Sequence, residues 1–214
     1  MRLTSFPNFW LLFALITLIA IYPVVNQYAG GRAFLALYDG VILLLALRAS
    51  RKAWYQPWLG YAFAVPAMML YAAVALFDHE ELVAVHLLAQ IVFHGFVVIC
   101  LLRYMLHDDV MTFDELFAAA ALYVLVGFVF GYCYALIEHV QPGSFYINGP
   151  NNPDNTTSWW DLLYFSFTCL TSVGFGEITP VSDSARSIVM IEQTTGVLYL
   201  AILISRLLTM QRQR

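Results

Sequence analysis

Charge is scarce in this 214-residue chain: acidic and basic residues together make up 11% of it, against 61% hydrophobic residues. Soluble domains carry roughly 25% charged residues, so the composition excludes an ordinary water-soluble globule and points to a membrane protein. The net charge of −4 is mild and negative, which gives a polyanion no attraction, and no nucleic-acid partner is expected. Cysteine is also sparse. Cys100, Cys133 and Cys169 all lie in apolar runs; their odd number cannot close an even disulfide framework, and they read as buried reduced thiols. No nucleophile–base pair and no metal-ligand motif stands out, so an enzyme is not expected.

What the chain has is apolar length. Six runs, Phe9–Val25, Phe34–Leu47, Trp58–Phe77, Leu82–Leu102, Leu116–Ile137 and Ser184–Leu208, predict six transmembrane helices. The first is longer than the h-region of about 7–15 residues of a secretory signal, and the following Asn26-Gln27-Tyr28-Ala29-Gly30 offers no clear cleavage site, so it reads as a retained helix. Pro66 inside the third run is tolerable as a kink within a bundle. Asp108, Asp109, Asp114 and Glu115 read as a short cytoplasmic linker before the fifth helix, with Thr112 as its cap.

A seventh apolar stretch, Trp159–Leu170, is too short to cross the bilayer, for which about 20 residues are needed. It must dip in and return, which irregular backbone survives only inside protein or along water. Ser158-Trp159-Trp160-Asp161 predicts a capping box at its start, with tryptophans at headgroup level. The Pro-, Gly- and Asn-rich segment Gln141–Ser158 before it reads as an outer loop. Its Asn155-Thr156-Thr157, a glycosylation-acceptor pattern, is taken as loop composition.

Basic residues orient the chain. With the N-terminus inside, Arg2, Arg48, Arg51, Lys52, Arg103, Arg206, Arg212 and Arg214 fall at cytoplasmic ends, and only Arg32 and Arg186 fall outside. The outer loops instead carry Asp78, Glu80, Glu81, Glu138, Asp154 and Asp183. Both termini are therefore expected in the cytoplasm of a multi-pass cell-membrane protein.

After the short helix comes Thr171-Ser172-Val173-Gly174-Phe175-Gly176-Glu177. Glycine tolerates positive φ, so this run can alternate backbone hands and turn successive carbonyl oxygens to one side. Several such strands around an axis would make stacked rings of oxygen able to replace a cation's water shell. The stretch resembles the selectivity filter of the potassium-channel superfamily, with its Thr-Val-Gly-Tyr-Gly. It departs from that pattern at Ser172, Phe175 and Glu177, where the commoner residues are Thr, Tyr and Asp.

The resemblance runs on through Pro180 and Arg186 to Gly196. It implies an all-α membrane protein of six transmembrane helices plus a re-entrant pore helix and a selectivity-filter loop. The implied domains are 1–106, a four-helix domain, and 107–214, a pore domain. It also implies a homotetramer in the lipid bilayer, with K⁺ as permeant ligand held at Ser172, Val173, Gly174 and Phe175 and with no other cofactor. Thr171 would lie just below, Gly176 would open the outer mouth, and Glu177 would make that mouth acidic. The pore helix would aim its negative dipole end at the membrane centre.

Tyr164 is expected to hydrogen-bond Glu177 and brace the filter. Glu192, a carboxylate inside a membrane helix, is expected to be a structural acid bonded to the pore helix near Thr168, ionised or protonated, or else to sense protons. Gly196 reads as a gating hinge or as a packing glycine. Val197, Leu200, Ala201, Ile204 and Leu208 share its face, and Ile204 and Leu208 would form a dewetted gate.

One charge crossing 100 mV is worth about 2.3 kcal/mol, so steep voltage gating needs several basic residues in the fourth helix. Leu82–Leu102 contains no arginine or lysine, and Arg103 only ends it, so conventional voltage gating is not expected. In their place His86, Gln90 and His94 recur every four residues, with Asp39 of the second run able to face them. This stripe reads as a buried polar network that sets helix packing, or alternatively as a proton sensor, since histidine titrates near neutral pH. The chain ends six residues after Leu208, and no cytoplasmic regulatory domain is expected in it. Two further readings stay open: a weakly selective monovalent cation channel, and a non-conducting membrane sensor or subunit.

Overall fold

A computed structural model describes residues 6–25, 27–28, 31–50, 57–77, 80–107, 112–152 and 156–211. Arg2, Asn26, Ala29, Gly30, Arg51, Lys52, Asp78, Asp108, Asp109, Asp154, Asn155, Arg212 and Arg214, which enter the readings above, lie outside the described residues.

The apolar runs become helices α1 (Pro7–Val25), α2 (Gly31–Ser50), α3 (Pro57–Phe77), α4 (Glu80–His107), α5 (Phe113–Val140) and α7 (Asp183–Gln211), and the short stretch becomes α6 (Trp159–Leu170). Short strands β1 (Phe145–Ile147) and β2 (Ile178–Pro180) pair antiparallel, Phe145 opposite Pro180 and Ile147 opposite Ile178. Among the described residues, Pro7–Val25, Glu81–Leu106, Phe113–Val140 and Asp183–Leu208 are long and apolar enough to cross a membrane, and Gly60–Val74 is a shorter apolar helix. The chain is an all-α membrane protein. The second helix departs from the pattern of an apolar span in holding Asp39 near its middle.

The chain divides into two compact units, Met1–Leu125 and Val126–Arg214. In the first, α1 packs on α2, α2 on α3 and α4, and α3 on α4, around Leu11, Leu15, Ile42, Leu43, Phe93 and Leu101. Helix α5 starts at a capping box. Thr112 Oγ1 accepts the Glu115 amide at 3.3 Å, and the Glu115 carboxylate accepts the Thr112 amide at 2.7 Å.

That start corrects the linker reading of Asp114 and Glu115, since both are buried in the first turn of α5. Asp114 accepts the Asn8 amide at 3.2 Å, the Asn8 side chain at 2.9 Å and the Tyr104 hydroxyl at 3.0 Å. Its carboxylate thus meets the first turns of α1 and α5, where the exposed amides of a helix N-terminus favour negative charge.

In the second unit α6 packs on α7. Two α5 glycines let α6 come close on another side. A Cβ on Gly131 would stand 3.0 Å from Leu163 Cδ1 and 3.2 Å from Leu163 Cα, and one on Gly127 would stand 3.0 Å from Phe167 Cζ. Tyr134, Phe145, Leu162, Phe165, Cys169, Ile178, Ala185 and Val189 close the unit's buried apolar cluster.

The Gly131 contact gives a paired test. Overpacking a filled site costs about 1–3 kcal/mol, so Gly131→Val should lower the thermal midpoint of the detergent-solubilised protein. Gly95→Ala, where nothing lies within 4 Å of the added carbon, should leave the midpoint level or slightly higher, because alanine favours a helix by about 0.8–1 kcal/mol over glycine.

Candidate functional site

The site is built from the end of α6 outward. Ser158 is the N-cap: its hydroxyl accepts the Asp161 amide at 3.2 Å, while the Asp161 carboxylate accepts the Ser158 amide at 2.9 Å. This box fixes the first turn. Burial of Leu162, Leu163, Phe165, Ser166, Cys169 and Leu170 fixes the orientation of the helix.

At the other end the chain doubles back on α6. The Thr171 amide donates to the Phe167 carbonyl at 3.1 Å and the Ser172 amide to Cys169 at 3.0 Å; the Val173 and Gly174 amides donate to Thr168 at 3.0 and 3.1 Å. These amides satisfy carbonyls that a helix end otherwise leaves orphaned. Among the described backbone hydrogen bonds, none goes to the carbonyls of Thr171 through Gly176. Residues 171 to 176 are exposed in the single chain.

Backbone hand alternates along the same stretch. Ser172, Gly174 and Gly176 have φ of 59°, 54° and 82°, while Val173 and Phe175 keep the ordinary sign. No atom lies within 4 Å of a Cβ built on Gly174 or Gly176, so the requirement for glycine is conformational rather than steric crowding. A left-handed L-residue costs roughly 1–2 kcal/mol, and Ser172 bears that cost.

The loop's exit is anchored too. Tyr164 donates to the Glu177 carboxylate, and the Glu177 carbonyl accepts the Asn148 amide at 2.9 Å. The hydrogen bond to Glu177, then partial burial and the carboxylate's charge, push the Tyr164 phenol up to about 12, so it keeps its donor proton. Pairing of β2 with β1 continues from this point. In the turn after α5, the Glu138 carboxylate accepts the Gly143 and Phe145 amides at 2.8 and 3.1 Å.

Behind α6, Glu192 meets that helix, at a residue other than the expected one. Glu192 is fully buried, and its partners are Tyr134 of α5 and Ser166 of α6, not Thr168. Ser166 and Thr168 are two residues apart, about 200° around a helix, so one cannot stand in for the other. The Thr168 hydroxyl donates to the Phe165 carbonyl at 2.8 Å within its own helix, and its carbonyl holds the loop. Sequence reasoning missed Tyr134 and Ser166; the available signal was a hydroxyl in each of two apolar helices.

Gly196 lies where α7 meets the end of α6. A Cβ there would overlap the Leu170 carbonyl oxygen and stand 3.0 Å from its carbon. Helix α7 runs through this point unbroken. Beyond it Val197, Leu200, Ala201, Ile204 and Leu208 form an exposed stripe.

Asp39, His86 and His94 lie in the other unit, all buried. Gln90 joins two of them: its side chain donates to Asp39 at 3.1 Å, and its carbonyl lies 2.9 Å from His94 Nδ1. The His86 ring stacks on Tyr71 with centroids 5.1 Å apart. No group of three potential metal ligands occurs among the described residues.

Residues 118–213 match the family model described as ion channel. The chain is also 38% identical, over 66 residues, to the potassium channel protein kcv of Paramecium bursaria Chlorella virus 1. That alignment covers 30% of this chain and 64% of the viral protein, so the chain spans a little under two thirds of its relative's length. No solved structure matches.

The contact at Gly196 supplies a test. Gly196→Ala must push α7 off the end of α6, a strain of about 1–3 kcal/mol. It should lower the thermal midpoint of the purified protein, whereas Ala201→Gly, on the exposed stripe of the same helix, should cost no more than the helix-propensity difference of about 1 kcal/mol.

Proposed function

We propose that this chain, a member of the potassium-channel superfamily, assembles as a homotetramer and conducts K⁺ passively across the cell membrane. The observation that carries the reading is the filter stretch itself. Its amides are tied back to α6 at Phe167, Thr168 and Cys169, its backbone hand alternates, and its carbonyls are left for another ligand. A row of carbonyls without donors suits a cation stripped of water. A single row cannot surround an ion, which is why a closed ring of copies is required. The exposure of Val173 at 53% and Phe175 at 70% fits surfaces that neighbouring copies cover.

In this reading K⁺ sits at the levels of Ser172, Val173, Gly174 and Phe175, with Thr171 beneath and Gly176 at the outer mouth. Glu177 raises the local cation concentration, and Tyr164 steadies it. The C-terminal dipole of α6 favours a cation waiting below the filter. Residues 107–214 form the pore domain and residues 1–106 a four-helix domain, giving six transmembrane helices with both termini cytoplasmic. Ile204 and Leu208 close the inner end as a dewetted gate, and Gly196 is the site of inner-helix adjustment.

The pore is not conventionally voltage-gated in this reading, since α4 bears no arginine or lysine before Arg103. The Asp39–Gln90–His94 chain serves to set the packing of the four-helix domain. The viral relative's name, a potassium channel protein, supports K⁺ as the ion. A weakly selective pore is the second reading, favoured by Phe175, which lacks the hydroxyl that can tie a filter strand to its helix.

Reconstituted protein should show a reversal potential near the K⁺ equilibrium value in opposed K⁺ and Na⁺. A reversal near zero would replace this reading with the weakly selective one, and no current at any pH would favour the non-conducting sensor. Tyr164→Phe should speed the decline of current during sustained opening, measured in the same bilayers; an unchanged time course would remove the brace.

A further inference from the structure

The hydrogen bonds around Glu192 require one more proton than its neighbours supply. Ser166 Oγ lies 2.8 Å from the Gly127 carbonyl and is also hydrogen-bonded to one Glu192 carboxyl oxygen. Tyr134 Oη is bonded to the other. Three contacts are therefore made, and each needs a hydrogen between its two oxygens. A backbone carbonyl only accepts, and a serine and a tyrosine bring one hydroxyl hydrogen each.

We infer that the third hydrogen is on Glu192, which is a neutral carboxylic acid joining α5, α6 and α7. Tyr134 donates to one carboxyl oxygen, the carboxyl O–H donates to Ser166, and Ser166 donates onward to Gly127. Every donor and acceptor then has a partner, with one hydrogen in each contact.

The surroundings agree. Glu192 has no exposed surface within a single chain, so neither water nor a neighbouring copy reaches it. Its titratable neighbours are Tyr134 and Cys133 from α5 and Cys169 from α6, none of them cationic. Phe165 and Phe145 pack against the Tyr134 ring with centroids 5.4 and 5.2 Å away, and lie 5.6 Å from each other. An ionised carboxylate with about four lone-pair sites would find two donors here and no countercharge, the costly case for buried charge.

The consequence for conduction rests on the pore reading above, whereas the proton count does not. A neutral Glu192 ties the helix that carries the filter to the helices on both sides of it, and places no fixed charge behind the ion path.

Glutamine has the shape and the donor–acceptor pattern of the neutral acid: its carbonyl accepts from Tyr134 and its amide donates to Ser166. Infrared difference spectra of wild-type and Glu192→Gln protein in lipid at neutral pH should contain a neutral carboxylic-acid C=O band that the substitution removes. The glutamine variant should melt within a degree or two of wild type, and Glu192→Ala well below it or not fold. A difference spectrum holding ionised-carboxylate bands instead, or a glutamine variant as unstable as the alanine one, would overturn the inference. Neither readout needs current, so a non-conducting protein would leave this test intact.

Discussion

Amides of residues 171 to 174 turn back onto the last carbonyls of α6, and the rest of the second unit depends on that turn. A backbone carries donors and acceptors in equal number. Committing the donors of a stretch to a helix end leaves its acceptors facing away with nothing to bind. In water such carbonyls would be hydrated. Gathered around an axis they can hydrate an ion in place of water. The helix end gains as well, because its carbonyls find partners where no further turn exists to supply them.

Such a loop holds its shape only if α6 is immobilised. The helix is gripped on several sides by different means. Ser158 and Asp161 close its N-terminus. Gly127 and Gly131 bring α5 to within side-chain contact, and Gly196 brings α7 against its last carbonyl. Glu192 adds a polar tie among the same three helices. Close packing transmits small displacements because interiors compress little, so each of these contacts bears on the geometry of residues 172 to 176. The Tyr164–Glu177 bond and the β1–β2 pair hold the far side of the loop.

Much of this was legible in the residues. The apolar runs correspond to α1 through α5 and α7, because a segment with few charges must satisfy its backbone internally and a helix does so residue by residue. The Ser158 box and the Thr112 cap were readable in the sequence, since capping is local. The alternating glycines announced alternating backbone hand for the same reason. Asp114 and Glu115 misled because their identity suggests solvent. In the fold they accept hydrogen bonds at a helix start, and Asp114 also accepts from Asn8, 106 positions away. Glu192 was suspect from its setting, yet its partners came from helices 58 and 26 residues distant, and helical phase, not proximity in sequence, selected Ser166 over Thr168.

What the sequence determined by itself, then, is whatever depends on neighbours within a turn or two: helix existence, caps, the conformational license of Gly174 and Gly176, and the membrane setting that composition dictates. Only the tertiary structure decided which surfaces meet. It showed that Gly196 touches a carbonyl, that Gln90 links Asp39 to His94, and that the hydroxyls of Tyr134 and Ser166 converge on one carboxyl group. Those pairings arise from helices packing at particular phases and depths, quantities that sum over many weak contacts and leave no mark on any short stretch of the chain.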